Sequence, residues 1–284
     1  MADRKARKKR RTGLYVFIAL VLIVTLFPFY WIINMSLQNS IQLYDVPPHF
    51  LPPKPTFENF KSILFEERGL MRFYQAVNNT LIVASITMAI CVILGSITGY
   101  ALARLRWRWG IYLLFALIGT QMVPPLTDLI PLYVIFSRWL KLVDTKAALI
   151  IGYTGWLLPI SVWILYGYFQ TIPKDLEDAA RIDGCTRMKA LFRVVMPLSA
   201  PGLAATAIYV FISSTNEFLF AMIFASTARS KTIPVALADM VGKYQIRYGD
   251  MTAGAVIAAI FPVVLALIFQ KYLVRGLTAG GIKG

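Results

Sequence analysis

The sequence predicts an all-α polytopic membrane protein with six transmembrane helices, and its composition and apolar runs are the reasons. Of 284 residues, 58% are hydrophobic and only 15% are charged, whereas soluble domains contain about 45–50% apolar and about 25% charged residues. The mean hydropathy is +0.64. Six almost uncharged stretches each reach the roughly 20 residues that a helix needs to cross a bilayer, so the sequence is not that of a soluble globular protein.

Long apolar runs set the bounds of the predicted helices. The first run follows a basic prefix, but it is too long for the apolar part of a signal peptide and no A-x-A cleavage pattern follows it, so we interpret it as a retained helix. Pro124, Pro125 and Pro131 interrupt the third run, so we expect kinked or unwound backbone there. The six predicted spans are residues 14–37, 79–103, 111–135, 147–169, 201–224 and 251–273.

The distribution of positive charge predicts that both termini are cytoplasmic. Segments on the same side as the N-terminus carry 18 Lys and Arg, and segments on the other side carry 11, which places the N-terminus inside by the positive-inside rule. We therefore divide the chain into a basic cytoplasmic N-terminus (1–13), a six-helix transmembrane domain (14–273) and a cytoplasmic C-terminal tail (274–284). The basic N-terminus is interpreted as a topology anchor beside membrane lipid, and no nucleic-acid partner is expected.

Few residues in the sequence can support catalysis or bind a metal ion. The chain has one histidine, His49, and two cysteines, Cys91 and Cys185, without a CxxC pattern, so neither a disulfide framework nor a zinc site is expected. No serine–histidine pair or carboxylate dyad is recognisable, and residues 276–283 lack the pattern of a phosphate-binding loop. We expect a protein that is not an enzyme and that carries no cofactor.

The polar segment 171–200, between the fourth and fifth predicted spans, begins with a short predicted helix. Pro173 suits the first helical position, and Gly184 suits a left-handed helix stop. Three acidic residues stand near the positive end of the helix dipole; they are Asp175, Glu177 and Asp178.

The same short helix has a face of small and apolar residues. Leu176, Ala179 and Ala180 share that face, and a second helical stretch over 186–196 runs to Pro197. Such a helix either seats in a groove of a partner protein or rests on the membrane surface. Periodicity alone does not decide between the two.

The spacing of this segment resembles the EAA loop (EAA, three residues, G, nine residues, I-x-L-P), the signature of the permease subunits of bacterial ATP-binding-cassette (ABC) importers. The matching residues are Asp178, Ala179, Ala180, Gly184, Val194, Met196 and Pro197. Residues 270–284 resemble the C-terminus of the MalG branch of sugar permeases, and the similarity extends over most of the chain. Asp178 stands where the motif has Glu, with Glu177 beside it, so the resemblance leaves open which of the two makes the main polar contact.

The resemblance implies a fold, a function and a set of partners. It implies the ABC-importer permease fold in the cytoplasmic (inner) membrane, with the 171–200 loop as a coupling helix on a separate ATPase dimer that binds ATP and Mg²⁺. It also implies a second homologous permease subunit, an extracytoplasmic solute-binding protein and a sugar substrate. The expected coupling residues are Glu177, Asp178, Ala179, Ala180, Gly184 and Pro197, and the tail residues expected at the ATPase interface are Thr278, Gly280 and Gly281.

A separate set of polar residues in or beside the spans forms the candidate solute path. Glu217 lies within an apolar run, where an ionisable group is costly and is a functional candidate by default, although it also suits a hydrogen bond between helices. The other candidates are Asn34, Asn79, Gln121, Thr215 and Asn216. Because the spans almost lack Lys and Arg, we favour a neutral carbohydrate over a glycerol phosphodiester or a sugar acid. A membrane-embedded enzyme and a self-contained secondary transporter are the remaining alternatives.

Overall fold

A computed structural model describes residues 2–65, 73–105, 107–241 and 246–279, with side chains only between residues 13 and 271 of these ranges. Within these ranges the chain is helical, with one isolated bridge between Val241 and Ile246 and no β-strand, which confirms the predicted all-α class. The helices are α1 (Ala2–Ser36), α2 (Glu58–Phe65), α3 (Phe73–Arg104), α4 (Gly110–Gly119), α5 (Pro125–Val134), α6 (Lys146–Thr171), α7 (Lys174–Ile182), α8 (Arg187–Ala190), α9 (Met196–Leu198), α10 (Ala200–Asn216), α11 (Leu219–Phe224), α12 (Ile233–Ala238) and α13 (Tyr248–Ala279).

Four described helices are long and apolar enough to cross a membrane, and the number rises to six if each of two bent helix pairs counts as one span. The four are Gly13–Ser36, Phe73–Arg104, Lys146–Thr171 and Tyr248–Lys271. The bent pairs are Gly110–Met122 with Pro125–Trp139, at 92°, and Arg187–Leu198 with Ala200–Asn216, at 82°. The predicted number of six therefore holds only when both bent pairs are counted as spans.

The break in the third predicted span follows from its prolines. Pro124 precedes α5 with an extended backbone (φ −59°, ψ 130°), and Pro125 occupies the first turn of α5, where a missing N–H removes no helical hydrogen bond. Val123 is extended as well, as a residue before proline prefers. The expected unwinding of this span is confirmed.

The prediction of a continuous helix over 201–224 is wrong. Helix α10 ends at Asn216, Glu217 is extended (φ −70°, ψ 127°), and the short helix α11 follows. The Glu217 carboxylate accepts hydrogen bonds from the backbone N–H groups of Phe220 (2.9 Å) and Ala221 (3.2 Å). A side chain that satisfies the first N–H groups of a helix starts a new helix at that point, and apolar continuity in the sequence does not reveal it.

Helix α1 presents apolar side chains on all its sides. The side chains from Gly13 to Tyr30 are all exposed, and Phe17 and Ile23 are 65% and 69% exposed. A helix that is hydrophobic all round belongs in lipid or against other protein. The exposed surface therefore agrees with the first predicted span.

The chain divides into two compact units, the first comprising Met1–Arg68 and Asp239–Ile257. Within this unit the buried Asn59 side chain donates from Nδ2 to the backbone carbonyls of Ser36 (2.8 Å) and Gln38 (2.7 Å). The last carbonyls of a helix have no partner within the helix. Asn59 therefore fixes the direction in which the chain leaves α1.

The second unit, Gly69–Ala238 with Ala258–Gly284, is built on the close pair α3 and α6. A Cβ added at Gly99 would lie 3.0 Å from the backbone N of Tyr166 and 3.2 Å from the carbonyl of Val162. Small residues allow this close approach of membrane helices. One buried cluster beside the pair contains Tyr100, Leu165, Phe169, Ile172, Leu191 and Val195, and a larger one includes Tyr153, Leu157, Val210, Phe220 and Phe224.

Candidate coupling site and solute path

Helix α7 occupies the first half of the 171–200 loop. Pro173 is the residue before the helix and not its first residue (φ −56°, ψ 134°), so the predicted start is wrong by one position. The fixed φ of proline suits both positions, and here the chain turns helical only at Lys174. Asp175 and Glu177 lie in the first turn, where the helix dipole favours negative charge.

The C-terminal end of α7 is a glycine-capped turn. Gly184 has φ +87°, and its N–H donates to the carbonyl of Arg181 at 3.1 Å, while the N–H of Cys185 donates to the carbonyl of Ala180 at 3.0 Å. These two bonds form a Schellman motif, which satisfies carbonyls that the helix leaves unpaired. The predicted left-handed stop at Gly184 is confirmed.

One face of α7 is exposed on the surface of the described chain. Leu176 is 46% exposed and Ile182 is 86% exposed, and Ala179 between them is exposed as well. Exposed apolar side chains at this spacing are typical of a helix that seats in a groove of another protein. Ala180, which the sequence analysis placed on the same face, is half-buried and therefore less accessible than these three residues.

The two adjacent acidic residues point in different directions. Glu177 is 7% exposed and forms an ion pair with Arg104, with 3.0 Å between Arg104 Nε and Glu177 Oε2. The hydroxyl of Tyr100 donates to the other oxygen of the same carboxylate. The Asp178 side chain is 65% exposed. Of these two adjacent acids, Asp178 is therefore the one on the accessible surface, whereas the Glu177 carboxylate turns inward to Arg104. The expected part of Glu177 in coupling stays a prediction.

The segment after α7 anchors the loop to the second unit. Thr186 caps α8 by accepting a hydrogen bond from the N–H of Lys189 at 3.3 Å, and a π-turn over Leu191–Val195 follows. Leu191 and Val195 are both fully buried in the cluster that contains Tyr100 and Phe169. Pro197 continues the chain as part of α9. The predicted second helical stretch thus exists, but it is divided into three short pieces.

Glu217 is held in place by contacts of its own carboxylate. It is half-buried, it caps α11 through its two carboxylate oxygens, and it lies beside the fully buried hydroxyl of Tyr153. Of its two neighbours, Thr215 donates from Oγ1 to the carbonyl of Ile212 at 2.9 Å, and Asn216 is exposed.

Three other candidates bind the backbone of this chain. Gln121 Nε2 donates to the carbonyl of Trp156 at 2.9 Å, and Asn79 Nδ2 donates to the carbonyls of Ala228 and Lys231, both at 2.9 Å. In the first unit, Asn34 Nδ2 donates to the carbonyl of His49 at 2.8 Å. These hydrogen bonds give the three amide groups a structural role.

Asp144, which the sequence analysis missed, organises the loop over 226–230. It accepts hydrogen bonds from Ser226 N (3.0 Å), Thr227 N (2.9 Å), Thr227 Oγ1 (2.6 Å) and Ser230 Oγ (2.6 Å). Burial opposes ionisation of this carboxyl, but the hydrogen bonds outweigh burial and lower its pKa. Its own backbone is left-handed (φ +62°), a conformation that Asp tolerates better than most residues, and this combination has no signal in the local sequence.

Asp128 is a second acid that the sequence analysis passed over. It lies in the first turn of α5, directly after the proline break, and its side chain is exposed. Its position within the apolar run 111–135 is the sequence signal by which it could have been recognised as a path candidate. An exposed acid at such a position is a path candidate by the same argument as Glu217.

The C-terminal tail is only partly described. Thr278 lies in α13, without a described side chain, and Gly280 and Gly281 lie outside the described residues. In the part of the chain with described side chains, no group of three or more His, Cys, Asp or Glu side chains is arranged to hold a metal ion.

Comparison with known proteins places these features in a family. Residues 91–279 match the family described as binding-protein-dependent transport system inner membrane component. The chain is 37% identical over 276 residues to the trehalose/maltose transport system permease protein MalG of Thermococcus litoralis, covering 97% of this chain and 98% of that protein. It is 36% identical over 270 residues to the sulfoquinovosyl glycerol transport system permease protein SmoH of Agrobacterium fabrum, covering 95% and 93%. Among solved structures, a bacterial ABC transporter involved in the import of the acidic polysaccharide alginate shares the fold, with a TM-score of 0.75 and 24% identity over 94% of this chain and 98% of that chain.

Proposed function

Since this chain belongs to the family of binding-protein-dependent transport system inner membrane components, we propose that it is one permease subunit of an ABC importer for a carbohydrate. It is a multi-pass protein of the inner membrane and a transport subunit, not an enzyme. In the proposed complex, ATP and Mg²⁺ bind to a separate ATPase dimer. This chain transmits the movement of the ATPase to the solute pathway.

Helix α7 is the observation that carries this proposal. It combines an exposed apolar face, an exposed acid at Asp178 and a rigid glycine-capped end. A short helix with these properties fits a cleft on another protein, and it is too polar on its other sides to be buried in lipid. Because α7 is bonded to α3 through Glu177, a force on α7 reaches a spanning helix directly.

The proposed complex contains three kinds of component besides this chain. A second, homologous permease covers the exposed apolar surfaces of this chain, the ATPase dimer seats α7, and an extracytoplasmic solute-binding protein delivers the solute. Both termini are proposed to be cytoplasmic, because the N-terminal residues 1–13 carry seven Lys and Arg. The tail with Thr278, Gly280 and Gly281 is proposed to reach the ATPase.

The proposed substrate class is a neutral mono-, di- or oligosaccharide. The support is the similarity to a protein named for trehalose and maltose, together with polar but mostly uncharged path candidates. A sugar derivative is the second candidate, because a relative of nearly the same identity is named for sulfoquinovosyl glycerol. Direct solute contacts are proposed for the exposed Asn216 and Asp128 and for Glu217, which is half-buried.

The test is purification of the intact complex around an affinity-tagged copy of this chain from its own host, in mild detergent. We expect a second permease and an ATPase to co-purify, and mass spectrometry of the co-purified solute to identify a carbohydrate. A chain that purifies without an ATPase, at full yield and after cross-linking, would contradict the proposed function. A non-carbohydrate solute would contradict the substrate class only.

A further inference from the structure

A buried cluster of Tyr100, Arg104 and Glu177 joins α7 to α3. The Arg104 and Glu177 side chains are 6% and 9% exposed, with 3.0 Å between Nε and Oε2. Tyr100, which is 4% exposed, donates its hydroxyl to Glu177 Oε1. A charge pair removed from water is tolerated only with close partners. Here Glu177 Oε1 accepts a hydrogen bond from Tyr100, and Oε2 meets Arg104 Nε in an ion-pair contact that lacks hydrogen-bond geometry.

Arg104 also binds the short segment that connects α6 to α7. Its Nη2 donates to the carbonyl of Ile172 at 2.8 Å, and Ile172 directly follows Thr171, the last residue of α6. The guanidinium is planar and presents its donors in a fixed geometry. One side chain therefore fixes the end of α6 and the first turn of α7 relative to each other.

The cluster is attached to the closely packed pair of helices α3 and α6. Gly95 and Gly99 bring α3 against α6, with an added Cβ at Gly99 only 3.0 Å from the backbone of Tyr166. The ring of Tyr100 packs edge-on against Phe169 of α6, with 6.4 Å between centroids and 83° between planes. A force that reaches Glu177 is therefore passed to two helices at once.

We propose that Glu177 is a positioning residue: through Arg104 and Tyr100 it locks the coupling helix to the α3–α6 pair, so that helix and spans move as one rigid lever. The inference rests on the proposed function and adds to it that Glu177 acts inside this chain and makes no contact with the ATPase. The neighbouring Asp178 is the acid available for such a contact. The two adjacent carboxylates thus have separate roles, one in transmission and one in docking.

The experiment compares Glu177→Gln with the matched control Asp178→Asn in the complete complex, reconstituted in proteoliposomes. Three quantities are measured: complex yield, ATP hydrolysis and solute transported per ATP hydrolysed. Glu177→Gln keeps the shape and removes the charge, so we expect ATP hydrolysis to persist while solute per ATP falls at least fivefold. Asp178→Asn is expected to weaken ATPase association and to leave solute per ATP within twofold of the original chain.

A double variant separates positioning from simple folding. Arg104→Met with Glu177→Gln leaves no unpaired buried charge, so complex yield is expected to recover while solute per ATP stays low. If solute per ATP recovers together with yield, the pair serves only to fold the chain and the inference is wrong. If Glu177→Gln lowers ATPase association at least tenfold with solute per ATP unchanged, Glu177 is a docking contact and the inference is wrong as well.

A milder variant covers the case in which Glu177→Gln does not accumulate. Tyr100→Phe removes one hydrogen bond and keeps the ion pair, and it is expected to assemble normally with solute per ATP reduced about twofold. Unchanged solute per ATP in Tyr100→Phe would overturn the inference. Failure of the unaltered complex to show ATP-driven uptake would instead reject the proposed function, so the two failures are distinguishable.

Discussion

At position 184, backbone geometry alone explains why the residue is a glycine. Its φ of +87° is open to glycine, and a Cβ added there would meet no atom within 4 Å. A substitution therefore costs only backbone strain, about 1–2 kcal/mol for an ordinary residue in the left-handed region. This makes Gly184 suitable for a test in which nothing else in the chain is disturbed.

We expect Gly184→Val to impair transport and Gly184→Asn to retain most of it. Valine is β-branched and resists the left-handed conformation, which Asn adopts readily. The measurement is transport and complex yield for both variants, with Val giving assembled complex and at least a fivefold loss of transport. Equal transport by the two variants would show that the capped end of α7 has no part in coupling.

Glu217 combines a structural role with a candidate role in the solute path. Its two hydrogen bonds to the N–H groups of α11 account for its position without any substrate. We expect Glu217→Gln to keep part of the cap and Glu217→Ala to lose it, at a cost of about 1 kcal/mol. If Gln transports normally and Ala lowers the yield of assembled complex, the role is structural.

A role of Glu217 in solute binding gives the opposite pattern. Glu217→Gln would then lower transport while complex yield and basal ATP hydrolysis stay unchanged. Both roles are rejected if Glu217→Ala assembles and transports like the unaltered chain. The same assay applied to Asp128→Asn tests the second acid that lies in the predicted spans.

At the residue scale, predictions succeeded where the cause is local. The left-handed stop at Gly184 and the break at Pro124 and Pro125 depend on neighbours in the sequence, and both are confirmed. The inward turn of Glu177 depends on Tyr100, which is 77 residues away. No spacing rule within one loop contains that information.

At the scale of elements, the contact between α3 and α6 controls the geometry of the second unit. We expect Gly99→Ala to destabilise the protein by about 1–3 kcal/mol, because the added methyl meets backbone atoms that do not yield easily. Gly167→Ala, in α6 but with nothing within 4 Å of the added Cβ, is the matched control. Thermal unfolding in detergent measures both, and equal melting temperatures would contradict this account of the packing.

The loop over 226–230 depends on Asp144, and its stability is expected to depend on pH. The pKa of this carboxyl is lower in the folded chain, so its stabilisation is present above about pH 5 and is lost as pH falls through the folded-state pKa. Asp144→Asn keeps the left-handed backbone and removes the charge. We expect this substitution to lower the free energy of unfolding by about 1 kcal/mol at pH 7. A buried charged hydrogen bond contributes more, but solvent screens the charge of this partly exposed group.

The pH dependence separates the charge of Asp144 from its shape. The difference in melting temperature between the original chain and Asp144→Asn is expected to shrink between pH 5 and pH 3. A difference that stays constant over this range would mean that the carboxylate charge does not stabilise the loop. Because the partner Ser226 is 82 residues from Asp144, neither the network nor its pH dependence was predictable from sequence.

At the scale of the whole molecule, the apolar content and the EAA-like spacing were enough to predict the fold class and the family. The number of crossings was predictable only in part, since apolar runs do not show where a side chain such as Glu217 starts a new helix. The solute path stays a prediction. Asn34, Asn79 and Gln121 were chosen as polar residues near spans, and the structure uses each of them to hold backbone carbonyls.

The purified single chain is expected to hydrolyse no ATP above a contamination control. The sequence carries no phosphate-binding loop, and the family it belongs to is one of transport subunits. The measurement is phosphate release by the chain in detergent and in vesicles, at several concentrations. Activity that rises in proportion to the purified chain and survives further purification would contradict the account.

The proposed role in ATP-driven import is tested most directly by uptake of a radiolabelled carbohydrate into proteoliposomes that contain the complete complex. Uptake is expected only when ATP, the ATPase and the solute-binding protein are all present, and it is expected to be lost without loss of assembly when Gly184 is replaced by valine. Uptake that persists without ATP, or that proceeds with this chain alone, would contradict the proposed role.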